Sequence, residues 1–109
     1  MATGRLGAAD LSATTYTTVY TVPASTFSVV TINLCNRNAT SVTVRIAITT
    51  TGGPSAPSSS EFIEYDSTLV ANGVLERTGI VMDAGKIVSV YTTTGSVSAT
   101  VFGIETSTS

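Results

Sequence analysis

Hydrophobic and polar positions alternate along most of this chain. In residues 42–49, Val42, Val44, Ile46 and Ile48 share one parity, while Thr43, Arg45 and Thr49 share the other. A period of two with one apolar row predicts a strand with one dry face and one wet face. Upstream, Val30, Ile32 and Leu34 form a second apolar row of the same parity. Opposed residues of an antiparallel hairpin have a constant index sum. Leu34 with Val42, Ile32 with Val44 and Val30 with Ile46 all satisfy one sum, so a single register places both rows on one face. The pattern therefore predicts a hairpin over residues 25–49, turning at Asn36, Arg37, Asn38 and Ala39, where asparagine tolerates positive φ.

The remaining segments read in the same way. Residues 14–22 alternate, with Tyr16, Tyr20 and Val22 on one face, and Pro23 ends the strand because it has no N–H for a ladder. Phe27 and Val29 have the opposite parity from Val30, Ile32 and Leu34. That mismatch predicts either a bulge near Val29 or cover on both faces. Residues 50–60, with Gly52-Gly53-Pro54, Pro57 and a serine run, read as a loop. Residues 61–67 form a short strand, and Asn72-Gly73 a turn. Residues 74–82 form a strand in which Gly79 marks a bulge or a close approach, and Asp83-Ala84-Gly85 turns the chain again. Residues 86–92 and 96–105 predict a second hairpin, with Val90 opposite Val97 and Val88 opposite Ala99. Seven strands at regular spacing without helical periodicity predict an all-β, antiparallel β-sandwich of seven or eight strands, Ig-like or jelly-roll-like. A jelly-roll wiring needs an eighth strand, for which residues 5–11 are the candidate. Otherwise residues 1–13 read as an N-terminal arm lying on a neighbouring subunit, with Arg5, Leu6 and Leu11 as its contact residues. The sandwich proper then spans residues 14–105, and 106–109 are a polar tail.

Composition narrows the function. The chain has 109 residues, 11% of them charged, and a net charge of -2. One domain of this size usually carries about 25% charge. So few charges predict a surface partly covered in use. Five basic side chains make no track for a phosphate backbone, and no apolar run approaches the ~18 residues that span a bilayer. Neither a nucleic acid nor a membrane is expected as a partner. The N-terminus lacks the apolar core of a signal peptide, and the single Cys35 suits synthesis in a reducing compartment.

Chemistry is sparse. There is no histidine, and Cys35 has no base beside it in sequence. Strand alternation puts Glu64 and Asp66 on one face about 7 Å apart, near the spacing of a glycosidase pair or half a calcium site. No further ligand lies nearby in sequence. The plainer expectation is a charged strand whose carboxylates meet Arg77 or Arg45 across a seam. Tyr16, Tyr20, Tyr65 and Tyr91 offer a sugar-stacking platform or simple packing. Asn38-Ala39-Thr40 has the glycosylation pattern, which matters only in a secreted eukaryotic chain. No enzyme, cofactor or metal is expected.

The segments TYTTVYTVPASTFSVVTINLCNRNATSVTVRIAI and IEYDSTLVANGVLERTGIVMDAGKIVSVY, with Ala71 to Gly79 the most telling stretch, resemble small β-rich virion structural proteins of tailed bacteriophages, of the type found in phages of marine bacteria and cyanobacteria. The resemblance covers roughly residues 14–104. It implies a non-enzymatic particle component present in many copies, a capsid decoration or cement protein or else a neck, tail or baseplate accessory. Its partners would be major capsid or tail subunits and further copies of itself, and its location the virion, assembled in the host cytoplasm. A carbohydrate-binding module of a phage fibre, using the 50–60 loop and exposed tyrosines, is the alternative of another class.

Overall fold

The computed structural model describes residues 3–50, 52 and 56–108. Eight strands follow in order: β1 Thr3–Leu11, β2 Thr17–Thr21, β3 Thr26–Asn36, β4 Val42–Thr49, β5 Phe62–Leu69, β6 Val74–Met82, β7 Ile87–Thr92 and β8 Val97–Ser107. A short 3-10 turn, Ser59–Glu61, precedes β5. The strands form two four-stranded sheets. Sheet A has the order β1-β8-β3-β6 and sheet B the order β2-β7-β4-β5. All named pairs are antiparallel. This is the jelly-roll arrangement of the β-sandwich.

Every connection except β4 to β5 crosses from one sheet to the other. The expected hairpin over 25–49 is therefore not a hairpin. Strand β3 lies in sheet A between β8 and β6, and β4 lies in sheet B between β7 and β5. Their apolar rows meet face to face across the core instead of side by side. Both arrangements turn the same parity inward, so the index sum is satisfied by either. The second expected hairpin fails for the same reason. Val90 pairs with Ile46 and Thr17, whereas Val97 pairs with Leu11 and Asn36. The one sequential pair left within a sheet, β4 and β5, is joined by the longest connection.

Up to Ile46 the core is as the alternation predicts; beyond it a register shift between Ile46 and Ala47 buries Ala47 and Thr49 and leaves Ile48 half-buried, against the expected parity. Val30, Ile32, Leu34, Val42, Val44 and Ile46 are all buried, in one cluster with Leu11, Met82, Val88, Val90, Val97 and Val101. No described buried side-chain nitrogen or oxygen lacks a hydrogen-bond partner. At one end Asn36, 1% exposed, ties the connections together. Its Nδ2 lies 2.9, 3.1 and 3.0 Å from the carbonyls of Thr40, Leu69 and Val70. Its Oδ1 accepts from the Asn38 backbone N–H and Nδ2, and Asn38 Nδ2 also donates to Gly95 O. None of the residues 36–39 has positive φ; Asn72 does, in the turn after β5.

Residues 3–11 are not an arm. They form β1, an edge strand paired along β8, and supply the eighth strand of the jelly roll. Leu11 is 3% exposed, inside the core, and Leu6 is half-buried against it. Arg5 is exposed, opposite Phe102. Pairing with β8 satisfies the backbone groups on one side of this segment, which outweighs its small side chains. Gly7 is required there, because a Cβ would stand 2.2 Å from Val19 O of β2. Nor are residues 106–108 a free tail: Thr106 and Ser107 pair with Phe27 and Thr26, and the Thr108 N–H donates to Ser25 O.

Candidate functional site

Two surfaces stand out. The first is on the outer face of sheet B and is built by a bulge. Val44 pairs with Ser67 and Ile46 with Glu64, so Arg45 of β4 faces two residues of β5, Tyr65 and Asp66. Asp66 takes φ 52°, the left-handed conformation of a bulged position. The extra residue turns both Tyr65 and Asp66 towards Arg45. Asp66 Oδ1 accepts from Arg45 Nε at 2.6 Å, and the guanidinium lies 4.3 Å from the Tyr65 ring centre. On the other side β7 places Tyr91 opposite Arg45, 4.9 Å from its ring. Arg45 Nη1 donates to Tyr16 Oη at 2.9 Å. Tyr16 stacks at 4.8 Å on Tyr91, and Phe62 meets Tyr65 edge-on at 4.9 Å. The hydrogen bond to Asp66, and then that to Tyr16, holds Arg45 well above its ordinary value, so it is a permanent cation. Beside it opens a cleft of about 640 Å³ lined by Tyr16, Arg45, Ala56, Pro57, Ser59, Phe62 and Tyr65.

The same bulge separates the paired carboxylates. Glu64 accepts from Arg77 Nη1 and from Ser67 Oγ, while Asp66 binds Arg45. Each meets an arginine across a seam, and the two do not share a face. Among the described residues no group of three histidine, cysteine or acidic side chains is placed to hold a metal ion. Of the four tyrosines, Tyr16 and Tyr65 line the cleft and Tyr91 packs on Tyr16 and Arg45. Tyr20 leaves for the core, because a register shift between Thr18 and Tyr20 buries Val19 and Tyr20 together. Phe62 joins the cluster unforeseen; its place just after the loop at the start of β5 was the available signal.

The second surface is the outer face of sheet A. Strand β3 pairs with β8 without a break, so the parity mismatch at Val29 is no bulge in β3. Instead its two faces carry different apolar sets. Val29 lies between Ile104 of β8 and Val81 of β6. Phe27 and Phe102 flank this row, two residues along their strands. Val81 is 70% and Ile104 55% exposed, with Val29, Phe102 and Phe27 also open to solvent. Thr3, Thr31 and Thr106 are their register neighbours, and Arg5 beside Phe102 is the nearest cation in the ladder. The bulge is in β6, where Thr78 and Gly79 together face Thr31 and Gly79 takes φ 69°, as its glycine suggested.

Fold and surfaces thus define a jelly-roll β-sandwich with an exposed apolar row on one outer face and an aromatic-lined cleft on the other. No known family model matches the chain, and comparison with curated proteins finds no match.

Proposed function

We propose that this chain is a non-enzymatic structural subunit of a tailed-phage virion. It is a capsid decoration or cement protein that stabilises the particle by burying surface against larger subunits, with further copies of itself around a symmetric site. The observation that carries this reading is the apolar row Val81–Val29–Ile104, flanked by Phe27 and Phe102, on a chain with only 11% charged residues. A contiguous apolar patch of this kind marks a contact surface. A stable interface buries about 800 Å² per partner, so the row would be its centre and the threonine-rich surround its rim. Jelly rolls build viral shells, which agrees with the resemblance but does not by itself choose a function.

The test is the copy number per purified particle, by quantitative mass spectrometry. Hundreds of copies are expected for a shell protein. A count of a few dozen or fewer would move the chain to the neck, tail or baseplate, and absence from particles would overturn the reading.

A further inference from the structure

We propose that the cleft on the outer face of sheet B is a binding site for a neutral saccharide. This inference concerns the face opposite the apolar row and does not rest on the virion reading. Four features of the cleft point to that ligand class.

The first is an open aromatic platform. Tyr65 stays 59% exposed although Arg45 stacks on its ring and Phe62 packs against it in a T-shaped pair. A pyranose ring presents a patch of C–H groups that an aromatic face covers well, and tyrosine adds area at low entropic cost. The second is preorganisation. Arg45 is held by Asp66, by Tyr16 and between two rings, and the Tyr65–Asp66 backbone is set by the bulge. Little freedom remains to be lost when a ligand arrives.

The third is charge. The Arg45 cation is matched by Asp66, and Glu61 at the rim accepts from the Ser58 N–H. Among the described lining residues no uncompensated cation is left to recognise a phosphate, sulfate or carboxylate. The fourth is the polar edge. Tyr16 Oη accepts from Arg45, so its own proton can be donated to a ligand oxygen, and Ser59 lines the same cleft with its hydroxyl. A wholly apolar ligand would strand these groups, whereas a ring with an apolar face and a hydroxyl rim satisfies both sets. The volume of about 640 Å³ is ample for a short oligosaccharide.

The experiment is a titration of the full isotope-labelled chain with neutral gluco-, manno-, galacto- and N-acetylglucosamine oligosaccharides to about 10 mM, followed by amide NMR shifts. Saturable shifts at Tyr16, Arg45, Phe62 and Tyr65 with at least one series are expected. Tyr65→Ala should weaken that binding at least tenfold, about 1.4 kcal/mol, while the chain still melts cooperatively, and Tyr65→Phe, which keeps the ring, should retain it. Ala56→Trp, which fills the cleft from the loop side and leaves the platform intact, should also abolish it. Absence of shifts with every series, shifts confined to other faces, undiminished affinity in Ala56→Trp, or binding of sulfated oligosaccharides alone would each overturn the proposal.

Discussion

Tyr20 carries its hydroxyl from β2 across to sheet A. It donates to Glu105 Oε2 at 2.6 Å and shares a hydrogen bond with Ser28 Oγ at 2.6 Å. Burial, reinforced by the bond to Glu105, pushes its pKa up to about 12. The unfolded chain loses that proton near the ordinary value of about 10. The folded state therefore binds the proton more tightly, and this contribution to stability is complete below pH ~10. It is lost as pH rises through about 12. Urea unfolding of the parent chain should show stability falling across that window. In Tyr20→Phe the fall should be shallower, and identical slopes would mean that the phenol is not linked to folding. The tyrosine itself was visible in the sequence, but its partners are 8 and 85 residues away along the chain. Strict alternation placed Tyr20 with Tyr16; the register shift after Thr18 divides them between core and surface. A single inserted residue reverses parity downstream, and no composition signal announced this one. Asn36 makes the same point. Its position at a strand end was legible, but its contacts with Leu69 and Val70 follow only from how the sheets stack.

At the scale of elements, strand existence was readable and strand pairing was not. Inward rows such as Val42, Val44 and Ile46 follow from the dry core and are chosen by side chains. Pairing is chosen by backbone groups, which are alike at every residue, so Leu34 could be assigned equally to Val42 or, as found, to Ala99 and Leu75. The first strand shows how weak local signals are overruled. Small residues in Thr3–Leu11 suggested an arm, yet Leu11 enters the core and the backbone completes the open edge of β8. Deleting residues 3–11 should consequently destroy the cooperative melt and leave an aggregation-prone chain, because a long edge and a core leucine site are uncovered together. A truncated chain that melts like the parent would show that β1 is dispensable after all.

For the whole molecule, the two sheets divide the surfaces between them. The sheet A face carries the apolar row, with Arg5, Asp10 and Glu76 elsewhere on the same face, while the sheet B face is aromatic with a matched ion pair. Substituting both Val81 and Ile104 by lysine places charges on well-exposed positions and should change folding stability by less than about 1 kcal/mol. It should also abolish docking on particles stripped of this protein, measured as occupancy after re-addition. Full occupancy by the folded double variant would remove this face as the contact. Exposure at Val81 is a property of the assembled sandwich: in sequence it is one more valine of a β-strand, as Val30 is.

The sequence by itself determined which residues avoid water and that they do so with period two, because burial is a property of side chains and leaves its mark on residue order. It thereby settled an all-β sandwich and most of its core. Only the tertiary structure decided that successive strands face each other across that core, that Thr3–Leu11 is a strand, and that Arg45, Tyr16, Tyr65 and Tyr91 come together. Those outcomes depend on hydrogen bonds between uniform backbones and on single-residue bulges, and neither is encoded in the alternation of polar and apolar positions.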